Sequence, residues 1–385
     1  MPETSSIDDM PNFGGRKARI SAGSMMVFFN QLPPQAVEDF RARMIGEDWQ
    51  IFGPSGDATR FAFSSPGRLE RALELLCVGL GPGELGLIRA AVVDESVPEQ
   101  EMLFSAAQSM EYLGELLLRV RASWLHALLK QPQKFFNVFQ PLIDIPTGRV
   151  FAYEMLIRAH ADSRGGVIGG GQLAEAALAS KQIYAFDLLA REVAIRTAAD
   201  RFSQKTNVFI NFMPNSLLDP ERSLRKTMND CKLAGLSPDR VVFEVVESES
   251  ISDIGYLKAM LDEFRGHGFR VALDDLGSGY SGLNYMLELM PDFVKLDREL
   301  VNEAAINPAK RVVVSKLAEA AHRMNIKVVA EGVEKADDFN VLRDLGADLV
   351  QGYLFARPSP DKVYDESFDL LNHVLNGNGQ PVTGA

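Results

Sequence analysis

Cysteine is almost missing from this chain. Cys77 and Cys231 stand far apart among 385 residues, so they define no disulfide framework and no paired metal-ligand spacing. Histidine is sparse as well. His126, His160, His267, His322 and His373 fall in segments that read as helices or loops, none at a strand end, which argues against zinc. No apolar run reaches the roughly 18 residues that a membrane span needs. The richest stretch, 73–93, is cut by Gly79, Gly81, Pro82, Gly83, Glu84 and Arg89. The first residues carry Glu3, Asp8 and Asp9 without an apolar core, so they do not read as a secretory signal. An excess of positive charge is lacking too. The formal net charge of -12 argues against binding a nucleic-acid polymer through a basic surface. It leaves an anionic substrate open, because bound divalent cations reverse a local field. The expectation is a cytoplasmic, reduced protein without a membrane span.

What is present is an ordinary globular composition, 46% hydrophobic and 24% charged, in a chain long enough for one small and one large domain. Residues 1–22 read as a flexible N-terminus and 378–385 as a flexible tail. Residues 23–97 read as a small α+β regulatory or dimerisation module. Strands are expected at 25–29 and 87–93, helices at 34–44 and 68–78, and a hairpin from 49–52 with 59–64. That βαββαβ order suits a ferredoxin-like sandwich.

Between 98 and 132, Leu103, Ala106, Met110, Leu113, Leu117, Val120, Trp124 and Ala127 repeat at alternating spacings of three and four. The pattern predicts a linker helix, either pairing with a second copy as a coiled coil or packing on its own domain. A homodimer is the expected assembly.

From 133 to 377 the chain alternates strand-like and helix-like segments. A hairpin of 135–145 with 149–154 is followed by strands at 207–211, 240–244, 270–274, 293–295, 327–331 and 349–351. This is an α/β pattern, and a count near eight strands in roughly 250 residues favours a closed (β/α)8 TIM-like barrel over an open sheet. The opening hairpin makes one strand antiparallel to the rest.

The strands end on chemistry. In order they release Glu154, Asn211, Glu244, Asp274 with Asp275, Lys295, Glu331 and Gln351. In a β/α barrel such ends converge on one face. Carboxylates with an amide oxygen form a hard-oxygen site suited to magnesium or manganese. Two carboxylates about 4 Å apart repel by roughly 4 kcal/mol at an effective dielectric of 20, so several together call for a divalent ion or a protonated member. Taken singly, Asp275 or Glu331 could cap a helix, and Glu247 could pair with a lysine.

These residues also carry a resemblance. Phe139-Gln140-Pro141-Leu142, then Glu154-Met155-Leu156-Ile157-Arg158, Asn211, Glu244-Val245-Val246-Glu247 and Asp274-Asp275-Leu276-Gly277-Ser278-Gly279-Tyr280-Ser281 occur in that order. Lys295-Leu296-Asp297, Ala330-Glu331-Gly332-Val333-Glu334 and Gln351-Gly352-Tyr353-Leu354-Phe355-Ala356-Arg357-Pro358 complete the series. The set resembles EAL-domain cyclic di-GMP phosphodiesterases across about 133–375.

The resemblance implies the EAL barrel fold and hydrolysis of cyclic di-GMP to linear pGpG with two Mg2+ or Mn2+ ions. Glu154, Asn211, Glu244 and Asp274 would hold one ion. Asp274 would bridge to the second, which Asp275 also ligates, with Glu331 nearby. Lys295 would contact the attacking water, and Gln351 and Glu334 would order waters and substrate. Arg158 would clamp a phosphate, Gln140 would sit against a guanine, and Asp297 joins the substrate-binding set. Glu247 would brace the loop 277–281.

A rival implication is a catalytically weak cyclic di-GMP receptor that signals through its N-terminal module. Met155 replaces the usual Ala of the family signature, Ala152 a Gly, Val246 a Thr, Met213 a small polar residue and Leu276 a Phe. None removes a metal ligand. Val246 and Met213 take hydroxyls away from beside the ligands, an expected cost in their orientation.

Overall fold

The computed structural model describes helical positions between 35 and 44 and residues 23–29, 51–52, 58–77, 88–93, 97–161, 166–213, 220–246, 254–277, 282–365 and 367–376. Both expected flexible ends, Glu247 and most of the 277–281 loop lie outside the described residues. The chain divides into two compact units, Met1–Gln131 with Gly171–Ile183, and Pro132–Gly170 with Tyr184–Ala385.

The first unit holds an antiparallel sheet ordered β2-β3-β1-β4-β5, with β1 Gly23–Phe29, β2 Ile51–Phe52, β3 Ala58–Phe63, β4 Ile88–Val93 and β5 Glu111–Tyr112. Period-two alternation gives β1 two apolar faces. Met25, Val27 and Phe29 pack on α1 (Pro66–Cys77) through Leu69, Leu73 and Leu76. Met26 on the other face packs with Met102 and Ala106 of α2 (Glu99–Ser109). Pro66 opens α1, and the Ser65 hydroxyl accepts from the Arg68 amide at 3.3 Å, an N-cap that explains where this helix starts.

The single helix expected over 98–132 does not form. α2 stops at Ser109, β5 pairs with β4, and the chain resumes as α3 (Leu113–Arg121) and α4 (Trp124–Leu129). The interruption has a tertiary cause. Arg89 of β4 stacks 4.3 Å over the Tyr112 ring and donates to its hydroxyl at 3.0 Å. Glu111 is buried and takes a 2.5 Å bond from Arg119. Sheet pairing and a buried ion pair outweigh helical propensity here. The seam breaks with it: Val120 is buried, whereas Trp124 is 40% exposed. α5 (Gly170–Ala179) follows later in sequence, with residues 171–179 in this unit.

The second unit is a closed barrel of eight strands, in agreement with the sequence pattern. β6 (Phe135–Asp144) and β7 (Val150–His160) form the antiparallel hairpin. β9 (Asn207–Phe212), β10 (Val241–Val246), β11 (Arg270–Leu276), β12 (Phe293–Leu296), β13 (Lys327–Ala330) and β14 (Leu349–Val350) continue from β7 as parallel neighbours. β14 then pairs antiparallel with β6, which closes the ring. A short β8 (Val167–Ile168) adds to β7 outside it.

β7 runs further than the sequence indicated. His160 is therefore strand-borne, stacked on Phe136 at 4.5 Å between centroids, and Glu154 sits mid-strand. After β7 the chain carries two helices rather than one, since Lys181 takes a positive φ of 57° between α5 and α6 (Ile183–Arg201). Among the described residues, no helix is long and apolar enough to cross a membrane.

Inside the barrel one apolar layer takes a single buried side chain from every strand: Leu142, Ala152, Phe209, Val242, Ala272, Phe293, Val329 and Leu349. This is the plug on which the site stands.

Candidate metal centre

Side chains on a strand repeat on the same face every second residue, about 6–7 Å further along. Two residues beyond each plug residue on the parallel strands, and two before it on the antiparallel β6, stand Gln140, Glu154, Asn211, Glu244, Asp274, Lys295, Glu331 and Gln351. Every strand thus contributes one polar group to the layer above the plug. Register ties them laterally, since Gln140 pairs with Glu154 across β6–β7 and Asn211 with Glu244 across β9–β10.

Lys295 occupies the middle of this layer. Its Nζ lies 2.5 Å from Glu244 Oε1, 2.6 Å from Glu331 Oε1, 3.1 Å from Asp274 Oδ1 and 4.0 Å from Glu154 Oε1. Burial opposes the lysine's charge, but Asp274, Glu154, Glu244 and Glu331 overcome that and hold its pKa well above the ordinary value. Burial also pushes Glu244 and Glu331 well above the usual carboxylate range, with Lys295 pulling the other way. On the far side of the layer, Gln351 Nε2 donates to Glu154 Oε2 at 2.7 Å and to Gln140 Oε1 at 3.2 Å. Gln140 in turn donates to the Ala356 carbonyl at 2.9 Å.

Asp274 and Asp275 are consecutive, so a regular strand would send them to opposite faces. The β11–β12 register shifts between Leu273 and Leu276, and Asp275 adopts a φ of +59°. This bulge brings oxygens of Asp274, Asp275 and Glu331 within 4.8 Å of one another. Burial first, then the Asp274 charge, raises Asp275 to about 6.

Several of these groups line a cavity of about 330 Å³, together with Asp297, Arg298, Gly332, Glu334 and Tyr353. Asp297 is partly committed elsewhere: its Oδ1 accepts from the Glu299 amide at 2.7 Å as N-cap of the short helix Arg298–Val301. Glu334 pairs with Arg298 at 2.8 Å across the rim. Arg158 donates to the Ile157 carbonyl at 2.8 Å and feels the charges of Glu154 and Tyr353, which line the cavity. Arg298 and Tyr353 were not singled out from the sequence. The signal for Arg298 lay in Gly332, whose φ is +63° and whose missing Cβ would meet Arg298 Cβ at 2.9 Å.

Whether a divalent ion fits can be tested on these residues. Five carboxylates (Glu154, Glu244, Asp274, Asp275, Glu331) share one ammonium, and all donors are hard oxygens. Glu244 is fully buried; the Lys295 ammonium stands 2.5 Å from its Oε1, while its Oε2 has no hydrogen-bond partner among the described residues. A buried carboxylate left this way is costly unless a cation completes it. The donor set fits divalent ions of the magnesium or manganese kind.

A barrel whose interior rim concentrates hard-oxygen groups above an apolar plug is suited to holding divalent cations. Residues 121–358 match the EAL domain model, and the chain belongs to the EAL-domain family, the c-di-GMP phosphodiesterase family. It is similar to the cyclic di-GMP phosphodiesterase RocR of Pseudomonas aeruginosa, at 32% identity over 178 residues, 46% of this chain and 45% of RocR. A standalone EAL protein from Vibrio cholerae, solved in its c-di-GMP-bound form, superimposes with a TM-score of 0.53 at 30% identity, covering 58% of this chain and 92% of that one. The Klebsiella pneumoniae BlrP1 manganese/c-di-GMP complex shares the fold at 23% identity and a TM-score of 0.53, over 88% of this chain and 96% of that one. The chain spans about half or less of the length of the curated relatives it matches first.

Proposed function

We propose that this chain hydrolyses cyclic di-GMP to linear pGpG with two Mg2+ or Mn2+ ions. The observation that carries the reading is the complete polar layer above the plug, four acids against one lysine with Asp275 added by the bulge, and a buried Glu244 whose Oε2 has no partner among the described residues. Glu154, Asn211, Glu244 and Asp274 would hold one ion, and Asp274, Asp275 and Glu331 the other. When bound, such a pair of ions supplies a water ionised near neutral pH and neutralises charge on a phosphodiester.

The chain's own residues do the remainder. Lys295 keeps its proton, so it acts as a fixed positive donor rather than a base. Gln351 orients the Glu154 carboxylate and ties it to Gln140. Arg158, Asp297 and Glu334 are assigned to holding substrate and its waters. The antiparallel order β2-β3-β1-β4 supports reading residues 23–97 as a ferredoxin-like regulatory module, and a homodimer is the proposed assembly.

One observation favours a second reading, a receptor that binds cyclic di-GMP without turning it over. Lys295 already satisfies much of the acid layer without metal. Incubating the protein with cyclic di-GMP and Mn2+ and separating the products decides between them. Appearance of pGpG, abolished in Glu154→Ala, supports the enzyme; tight binding without product supports the receptor.

A further inference from the structure

Outside the cavity, one buried ionic cluster is unused by the proposed chemistry. Asp187 and Arg191 lie one turn apart on α6, 2% and 1% exposed, with Arg191 Nη2 2.7 Å from Asp187 Oδ2. The same guanidinium donates to Ser223 Oγ at 2.8 Å and to Thr227 Oγ1 at 2.7 Å. Both hydroxyls belong to α7 (Pro220–Ala234) and are fully enclosed. The guanidinium carbon also lies 5.3 Å over the ring of Phe212, the last residue of β9. The second Asp187 oxygen then accepts from the backbone amide of Met213 at 3.2 Å.

The buried ion pair of α6, seated by two hydroxyls of α7, is therefore directed at one point of the barrel, the exit of β9. Asn211 immediately precedes Phe212, and period two sends these neighbours to opposite faces. Phe212 packs outward among buried side chains and against Arg191, so Asn211 is turned to the inner layer beside Glu244. A buried ion pair is weak evidence for stability in itself, since well-packed apolar residues often do as well. What the ion pair adds here is direction. An amide is a neutral ligand that no charge steers into place, so its aim depends on the backbone that carries it.

We propose that Asp187 and Arg191 are positioning residues for Asn211: they pin Phe212 and Met213 so that the Asn211 amide is held toward the divalent-cation site. The inference rests on the ligand role of Asn211 proposed above, and goes beyond it by naming what aims that ligand.

The test measures Mn2+ affinity by calorimetry on the full chain, with thermal unfolding recorded for every variant. Asp187→Asn keeps the side chain's shape and is expected to weaken Mn2+ binding about tenfold, the scale typical for residues that orient a ligand. In an Asn211→Ala background the same substitution is expected to change affinity no further, because the ligand it aims is gone. Arg240→Met, at the opposite end of the barrel strands, lowers stability without touching affinity and serves as the control.

Lower stability of Asp187→Asn with unchanged Mn2+ affinity overturns the proposal, as does an equal loss with and without Asn211. Should Asp187→Asn fail to fold, Thr227→Val and Ser223→Ala remove the hydroxyls that seat Arg191, and unchanged affinity in both overturns it. If the wild-type chain binds no Mn2+, the metal reading has failed on its own. The pinning is then decided by amide hydrogen exchange at Met213 and by the Asn211 side-chain resonances, and no change in either on Asp187→Asn overturns it.

Discussion

Two buried cations in the barrel unit are solvated in opposite ways. Arg191 has one carboxylate, two hydroxyls and an aromatic face, and only its Nε lacks a partner among the described residues. Lys295 has four carboxylates within 4.0 Å, and one of them, Glu244, is enclosed with its Oε2 unpartnered among the described residues. The first cluster is matched in number and geometry, as a group that holds elements together must be. The second has more negative charge than the chain neutralises. Surplus of one sign, kept in a dry layer, marks the place reserved for something the polypeptide does not itself provide.

The comparison is broken most directly by removing one acid from each cluster. Glu244→Gln is expected to lower pGpG formation at least about 100-fold, since it deletes a ligand. The same change should leave the melting temperature of the metal-free protein unchanged or raised, because it replaces a buried carboxylate that burial disfavours. Asp187→Ala is expected to do the reverse to stability, costing about 3–5 kcal/mol in urea unfolding by stranding a buried guanidinium. Equal stability losses in both would erase the distinction.

A smaller effect sharpens it. Mn2+ at about 100 times its dissociation constant should stabilise the wild type by roughly 2.7 kcal/mol and Asp274→Ala far less, as read by calorimetric melting. Acidity gives a further handle through Asp275, raised to about 6. Between the ordinary carboxylate value near 4 and about 6, the folded state binds more protons here than the unfolded state. The Asp275 contribution to the stability of the metal-free protein therefore falls as pH rises through that window and levels off above it. Mn2+ affinity should climb over the same interval, because metal competes with the proton. Melting curves in EDTA from pH 4 to 7 check the slope, which Asp275→Asn should reduce while Glu244 and Glu331 keep their share of it. The smallest effect belongs to the rim pair Arg298–Glu334, whose side chains are 62% and 40% exposed. Arg298→Ala should change stability by less than about 1 kcal/mol, and any larger loss would assign this pair a structural part.

Much of this was readable from the chain. Strands that finish on Glu244, Asp274, Lys295, Glu331 and Gln351 announce a shared rim once a closed barrel is inferred, because topology alone makes their ends converge. Features that depend on partners distant in sequence were not readable. Nothing local says that Glu111 and Tyr112 will pair with β4, so the spacing from Leu103 to Ala127 reads as an unbroken helix. Alternation alone would separate Asp274 from Asp275; only the left-handed Asp275 and the shifted β11–β12 register reunite them. Arg191 is one charged position on a helix until Ser223, Thr227 and Phe212 arrive around it.

The plug beneath the rim, one apolar side chain from each of eight strands, has a consequence for how such a barrel changes over time. Folding draws on the lower storey and chemistry on the upper, and the two are offset by a single pleat. Rim residues can be exchanged one by one while the barrel still closes, so the chemistry of the rim can change without an unfolded intermediate along the way. Deleting one residue within a strand has no such latitude, because it inverts both storeys together.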